Sequence, residues 1–336
     1  MIKKVSLILA SLLFSFLLIE ILLILFFPQD LTGSFRTYGK NGLLLNSKNK
    51  TVPVFHLGKK VASYDFGEFH NRKYDLKKND NKILVLGDSF TFGWLLEDED
   101  TFIYKLDKEI DDFSLINSAA GGWGTSDQLK YLMSFCKTIN PKYTLLFLNA
   151  FDFNRSIKSD LFFLEKDNIR EGNNKTSKLK IFLQKSTIYN FSIENFHFIN
   201  LIKRFYLSTS FNNKDNKKIT IKDNEQITGK DSEQGKFIKK LFLKFNEEAK
   251  SCNTKIIIIN LGWINYNNTP SISSSFIKDN IVFFNKNFNF IDLNYDMAEI
   301  HKDYDKFSIS HDSHPNKLGS DFIFNVVYKK LYPLIN

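Results

Sequence analysis

The chain has 336 residues, of which 43% are apolar, and it carries a formal net charge of +9. This length and apolar content are enough to bury a full hydrophobic core, which excludes a disordered or fibrous protein. The lysines are scattered among asparagines and acids rather than gathered on one predicted face, so the positive charge does not indicate nucleic-acid binding.

The two cysteines, Cys136 and Cys252, are too few for a disulfide framework. Neither lies in a CxxC or histidine-rich context that would indicate a metal site. We therefore expect two buried free thiols and no metal or organic cofactor.

A long apolar stretch, Val5–Phe27, follows Lys3 and Lys4 at the N-terminus. At about 1.5 Å per residue, a helix of this length crosses the roughly 30 Å of bilayer hydrocarbon. A cleaved signal peptide is the alternative, but the stretch is longer than a usual signal core and "FFPQDLTG" offers no small-x-small cleavage site. We predict an uncleaved anchor over residues 1–28, with the N-terminus in the cytoplasm and the rest of the chain periplasmic or extracellular. Glu20, inside the stretch, is expected to snorkel or to pack against a partner helix.

Residues 29–80 lack a strong periodicity and are predicted to form an irregular stalk. From residue 81 onward, short apolar runs alternate with segments of helical spacing, which is typical of a parallel sheet covered on both faces. The predicted fold is a doubly wound α/β domain over residues 81–336, with five parallel strands. The strand-like runs are residues 82–87, 113–117, 143–149, 255–262 and 288–293.

One interval, residues 153–235, is far too long for an ordinary crossover between strands. It contains an aromatic amphipathic piece and a polar, asparagine-rich tract at about residues 212–226. We interpret it as a surface insertion of helices with a disordered tail. A lid or substrate platform over the active edge is the alternative.

Four polar segments follow predicted strands, and in an open parallel sheet they share the edge at the carboxyl ends of the strands. These segments are Ser89 in "GDSF", "NSAAGGWGT" (117–125), "NAFDFNR" (149–155) and "SHDSHPNKLG" (310–319). A serine, glycine-rich backbone, an amide side chain and a histidine next to an aspartate are the groups that acyl transfer by a serine nucleophile needs.

On these motifs the chain resembles the SGNH (GDSL-type) hydrolase superfamily over about residues 80–336, a family with a flavodoxin-like fold. "GDSF" matches the nucleophile block, "NSAAGGWGTSDQ" the second block and "HDSHPNKLG" the last block. The resemblance implies that Ser89 is the nucleophile and His314 the general base. It also implies that the backbone N–H groups of Ser89 and Gly122 form the oxyanion hole, and Pro315 is expected to open the terminal helix.

The chain departs from the family pattern in two places. The third block normally reads Gly-x-Asn-Asp, and Phe151 occupies the position of the asparagine if Asp152 takes that of the aspartate. We prefer Asn149 as the third oxyanion donor because it lies at the predicted strand end, with Asn154 as the alternative.

The second departure is in the last block, where the usual spacing is Asp-x-x-His. The residue three before His314 is His311, whereas Asp312 is two before it. We assign Asp312 to orient the imidazole of His314.

Three functions fit the resemblance. The first is a membrane-anchored esterase that removes acyl or acetyl groups from lipid or glycan outside the cytoplasm. The second is a cell-envelope polysaccharide O-acetyltransferase that uses the same triad beside a multi-pass acyl-transfer partner. The third is a catalytically decayed domain that binds glycan.

Overall fold

The computed structural model describes residues 2–336 except 34, 40–41, 75–78, 150, 173–177, 216–231, 263–271, 298–299 and 301. Most of the predicted polar tract therefore lies outside the described residues. The strands are β1 (Arg36–Tyr38), β2 (Leu44–Asn46), β3 (Lys50–His56), β4 (Lys59–Phe66), β5 (Lys82–Leu86), β6 (Ser114–Asn117), β7 (Tyr143–Leu148), β8 (Phe162–Glu165), β9 (Asn168–Glu171), β10 (Lys255–Asn260) and β11 (Asn289–Asp292).

The α-helices range from single turns to an apolar helix at the N-terminus. They are α1 (Ile2–Phe26), α2 (Ser89–Phe92), α3 (Phe102–Glu109), α4 (Thr125–Ile139), α5 (Asp152–Lys158), α6 (Lys178–Lys185), α7 (Thr187–Asn195), α8 (His197–Asp215), α9 (Glu233–Ser251), α10 (Ile272–Asp279), α11 (Ile281–Asn287), α12 (Tyr304–Phe307) and α13 (Lys317–Ile335).

The described residues divide into two compact units. The anchor unit comprises residues 1–35, 52–63 and 177–224, and the sheet unit comprises residues 36–51, 64–176 and 225–336.

The core of the sheet unit is a five-stranded sheet of order β11-β10-β7-β5-β6, with every neighbouring pair parallel. This confirms the predicted doubly wound fold. The strand order reverses between β5 and β7, so the carboxyl ends of these two strands flank the crevice in which such sheets place their ligands.

Both faces of the sheet are covered, because side chains alternate between the two faces along each strand and most of those in the central strands are apolar. Leu84 and Leu86 face one core cluster, which includes side chains of α4 and α9. Ile83 and Val85 face the other cluster, which includes side chains of α3 and α13. Burial on both faces explains why these strands read as continuous apolar runs.

The predicted irregular stalk is not what the structure has over residues 29–80. Two antiparallel pairs lie there: β1 pairs with β2, and β3 forms a separate two-stranded sheet with β4. The strands β1 and β2 have three residues each, too few to show a period of two, and Pro53 inside β3 argues against a strand by pattern.

The prediction of two free thiols is wrong. Cys136, near the end of α4, and Cys252, directly after α9, form a disulfide across 116 residues with their Cα atoms 6.2 Å apart. The helices α4 and α9 pack on the same face of the sheet, which brings the two cysteines together. Two cysteines do not reveal such a pairing by their spacing.

The anchor unit contains α1, the tip of the β3–β4 hairpin and helices α6, α7 and α8. Among the described residues, α1 is the one helix with the length and apolarity to cross a membrane. Its N-terminal two-thirds are almost wholly exposed, whereas Glu20 and Leu23 are buried.

Candidate active site

Ser89 is the first residue of the one-turn helix α2, directly after the tight turn that follows β5. The Asp88 carboxylate caps this helix by accepting a hydrogen bond from Phe90 N at 2.9 Å. Gly93 ends the helix at φ +80°, a conformation that favours glycine. The nucleophile of the sequence hypothesis thus stands on a short, doubly capped turn at the carboxyl end of a central strand.

Ser89, His314 and Asp312 come together in one hydrogen-bonded chain. Ser89 Oγ is 2.7 Å from His314 Nε2, and His314 Nδ1 contacts Asp312 Oδ1. The backbone N–H of His314 also donates to Asp312 Oδ1, at 2.9 Å. Since an ionised carboxylate can only accept, Nδ1 carries the proton and Nε2 accepts from the serine hydroxyl.

The loop that carries the histidine is fixed by its own backbone. Ile309 N donates to His314 O and Asp312 N donates to Ile309 O, both at 2.9 Å. Asn316 closes the loop by accepting from Gly319 N as the N-cap of α13. Pro315 was expected to open this helix. Instead it lies one residue before the N-cap Asn316, and the helix begins at Lys317.

Aromatic rings flank the imidazole. The Phe90 ring centroid lies 4.7 Å from that of His314, and the Trp94 centroid lies 6.2 Å from it. His311 is exposed at φ +60° and does not take part in the hydrogen-bonded chain through Asp312 and His314.

Gly121 of the second block lies beside the serine, and Gly122 follows it. A Cβ built on Gly121 would be 3.7 Å from the Ser89 Cβ, and Gly122 has φ +74° with open space where a side chain would be. Gly122 lines a cavity of about 670 Å³ together with Phe151, Asn154 and other residues of α4 and α5. The backbone of Gly122 is thus exposed to a space that a substrate could occupy.

The two candidate amide donors occupy different environments. Asn149 is buried, and its Nδ2 donates to Asp88 Oδ2 at 3.2 Å. Asn154 lines the cavity beside Gly122, as does Phe151. Asn149 is therefore hydrogen-bonded to Asp88, the residue that caps the helix carrying Ser89, whereas Asn154 faces the cavity.

Arg155 is a site residue that the sequence reasoning missed. Its Nη1 donates to Asp88 Oδ2 at 2.9 Å and to Trp123 O at 3.1 Å, and lies 3.6 Å from Asp152 Oδ1. One cation thus links the first, second and third motifs. The available signal was its position three residues after Asp152, which places both on one helix face.

Asp152 is completely buried at the start of α5. Its Oδ2 accepts a hydrogen bond from Asn149 N at 3.0 Å. Burial and then the nearby Asp88 carboxylate raise the pKa of Asp152 well above its ordinary value, against the opposing influence of Arg155.

Trp123 is buried rather than exposed to a substrate, and its Nε1 donates to Leu44 O at 2.7 Å. Arg72, in the segment predicted to be a stalk, is fully buried. It donates to Phe92 O and Gly93 O at 3.1 and 2.8 Å, and so holds the loop that follows the nucleophile helix. Within the described ranges, no group of three or more histidine, cysteine, aspartate or glutamate side chains has the arrangement of a metal site.

No protein-family model matches the chain, and no curated protein does. Solved structures do match it over about three quarters of its length. "TesA" is 11% identical with a TM-score of 0.45, and the match covers 76% of this chain and 100% of that one. The psychrotrophic esterase EstA from Pseudoalteromonas sp. is 15% identical with a TM-score of 0.43, covering 76% and 99%. The acetyl xylan esterase AlAXEase is 14% identical with a TM-score of 0.42, covering 76% and 100%.

Proposed function

We propose that this protein is a serine-dependent ester hydrolase of the SGNH type that acts on acyl or acetyl esters of lipid or glycan outside the cytoplasm. The observation that carries the proposal is the chain of hydrogen bonds from Ser89 through His314 to Asp312. This is the geometry of an activated nucleophile, because the base His314 is within hydrogen-bond reach of the Ser89 hydroxyl and is itself oriented by Asp312.

In the proposed mechanism, His314 Nε2 takes the proton of Ser89 Oγ as the oxygen attacks the ester carbonyl. Asp312 holds the imidazole in the tautomer with Nδ1 protonated and stabilises the imidazolium that forms. The imidazolium then gives its proton to the leaving alcohol. Water, activated by the same histidine, releases the acid from Ser89.

The negative charge on the carbonyl oxygen is met by backbone N–H groups of Ser89 and Gly122. The open space at Gly122 and the nearness of the preceding Gly121 to Ser89 support this assignment. Each such donor lowers the barrier by roughly 3 to 4 kcal/mol in well-studied enzymes. We propose Asn149 as the third donor, held in place through Asp88, with Asn154 in the cavity as the alternative.

Two observations support a position outside the cytoplasm. The helix α1 is apolar and long enough to serve as an anchor, and Lys3 and Lys4 at its start favour a cytoplasmic N-terminus. The Cys136–Cys252 disulfide fits an oxidising compartment, where such bonds persist.

The test is labelling of the full-length protein in detergent with a fluorophosphonate serine probe, read by intact mass. We expect one label on the wild type and none on Ser89→Ala, with at least a hundredfold slower labelling of His314→Ala. Ser310→Ala is the matched control, since Ser310 is an exposed serine close to the same site. A wild type that is folded and takes no label would contradict the hydrolase.

A product assay on the same detergent-solubilised protein distinguishes hydrolysis from acyl transfer. With an acetyl ester and a sugar alcohol present, a hydrolase releases acetate, whereas an acetyltransferase yields the acetylated sugar. Glycan binding that survives Ser89→Ala, without either product, would instead favour a binding domain.

The third oxyanion donor is tested by comparing Asn149→Ala with Asn154→Ala. We expect kcat/KM to fall by about 10²- to 10³-fold in the variant that loses the donor, Asn149→Ala, and to change little in the other. The reverse pattern would assign the donor to Asn154.

A further inference from the structure

Within the anchor unit, the start of helix α8 and Phe196, the residue between α7 and α8, pack on the apolar helix α1. The Phe16 ring meets the rings of Phe196 and Phe198 edge-on, with centroids 5.4 and 6.0 Å apart. The buried Glu20 carboxylate accepts hydrogen bonds from His197 N at 2.5 Å and Phe198 N at 3.0 Å. These are among the N–H groups at a helix start that have no partner inside the helix, so Glu20 caps α8 with a negative charge.

This cap fixes the depth of α8 along α1. From Glu20 to Phe26, the last residue of α1, a helix rises about 9 Å at about 1.5 Å per residue. If α1 spans the bilayer, the start of α8 lies about 9 Å below the end of α1, in the outer part of the hydrocarbon. A helix start at that depth needs its N–H groups satisfied by protein, which is what Glu20 does.

The same two helices expose large apolar side chains. Those with 40% or more of their surface exposed are Ile188, Phe191, Leu201, Ile202, Phe205 and Tyr206. Soluble surfaces rarely carry so many together. This face belongs to the same unit as the exposed apolar surface of α1, which a bilayer would cover.

Cationic side chains accompany the apolar ones. Lys203 and Arg204 line a cavity of about 220 Å³ with Asn200 and with Gln29 and Asp30, which follow the end of α1. A cationic pair just beyond the end of an apolar helix lies at the level of lipid phosphates, and Asp30 offsets part of its charge. Aromatic and aliphatic side chains beside Lys and Arg are typical of helices that lie in the membrane interface.

We propose that α7 and α8 form a membrane-interface platform that lies in the outer leaflet boundary beside α1. Phe191 and Phe205 insert among the acyl chains, while Lys203 and Arg204 bind anionic headgroups. The hydrogen bonds from the start of α8 to the Glu20 carboxylate hold this platform against α1. This inference rests on the proposed membrane anchor.

The test uses full-length protein in vesicles of equal parts phosphatidylcholine and phosphatidylglycerol. An environment-sensitive nitrobenzoxadiazole dye is attached to Phe191→Cys, to Phe205→Cys or to the control Val282→Cys, an exposed apolar position in the sheet unit. The native cysteines form the disulfide and do not react with the dye. We expect acyl-brominated lipid to quench the dye at least twofold at positions 191 and 205, and not at 282.

Three results would overturn the proposal. Unquenched, water-exposed labels on protein that stays in the vesicles through an alkaline wash would refute the platform alone. A blue-shifted label that brominated lipid does not quench would mean that a protein covers this face. Release of the protein by the wash would refute the anchor and the platform together.

A second variant tests the role of Glu20. Glu20→Leu removes the cap and makes α1 more apolar, so the protein stays in the vesicles. We expect quenching at position 205 to fall at least by half, and Glu20→Gln, which keeps one acceptor oxygen, to show a smaller loss. Quenching unchanged in Glu20→Leu would refute the assignment of Glu20.

Discussion

Two helices of this chain, α8 and α9, have similar compositions but differ in the burial of their apolar side chains. In the sheet unit, α9 buries Phe237, Phe242 and Phe245 under the sheet, whereas α8 in the anchor unit leaves Leu201 and Phe205 exposed. Both helices mix aromatic and aliphatic residues with lysine. An amphipathic pattern thus predicts a helix and an apolar face, but it does not say whether protein or lipid covers that face.

The largest expected effect contrasts Phe242→Ala with Phe205→Ala. Removing the fully buried Phe242 ring leaves a cavity and should lower the free energy of unfolding by about 3–5 kcal/mol. Phe205→Ala should change it by less than about 0.5 kcal/mol. Chemical denaturation in detergent, followed by circular dichroism, measures both. Equal losses in the free energy of unfolding would mean that Phe205 packs against protein, and the two helices would then not differ in what covers their apolar faces.

We expect the disulfide to stabilise only the sheet unit against unfolding, because that unit contains both of its cysteines. The double variant Cys136→Ala/Cys252→Ala should lose about 2–4 kcal/mol of stability, because the unfolded chain is no longer cross-linked. Dye quenching at position 205 in the anchor unit should stay the same. Wild type treated with reductant is the control, and it should unfold at the midpoint of the double variant. An unchanged midpoint in the double variant would contradict the stabilising role.

Each unit also has a carboxylate at a helix start: Glu20 for α8 and Asp127 for α4. Asp127 accepts from Gly124 N at 2.9 Å, and burial raises its pKa to about 6, against the opposing effects of this hydrogen bond and of Arg36. Because the folded pKa is raised above the ordinary 3.8, we expect the contribution of this carboxyl to stability to be lost as the pH rises from 3.8 through about 6.

Asp127→Asn should lack this dependence. The wild type should therefore lose up to about 2 kcal/mol relative to Asp127→Asn between pH 4 and pH 7, less than full burial would give because the side chain keeps some exposure. Unfolding midpoints measured at several pH values check this. Parallel curves for the two proteins would show that ionisation of Asp127 has no cost in the fold.

The sequence was sufficient to predict the five parallel strands, because continuous apolar runs occur only where both faces of a strand are buried. It also predicted that Ser89, Asp312 and His314 would share one edge, since the carboxyl ends of parallel strands meet there.

Other features depend on packing that no local pattern records. Arg155 joins three motifs only because α5 brings it within reach of Asp88 and Trp123, and Arg72 reaches the loop after α2 from a segment without periodicity. The Cys136–Cys252 pairing depends on the placement of two helices on one face. Trp123 lies in the glycine-rich second motif, yet its indole is buried in the core.

The separation of 225 residues between Ser89 and His314 has a consequence for synthesis. At about 5–20 residues per second, a ribosome needs tens of seconds to proceed from the proposed nucleophile to its base. Throughout that time the growing chain carries a serine with no partner to activate it. Under the proposed mechanism, hydrolysis can begin only after the final strand and the loop behind it have been made, so the nascent chain cannot attack esters before that point.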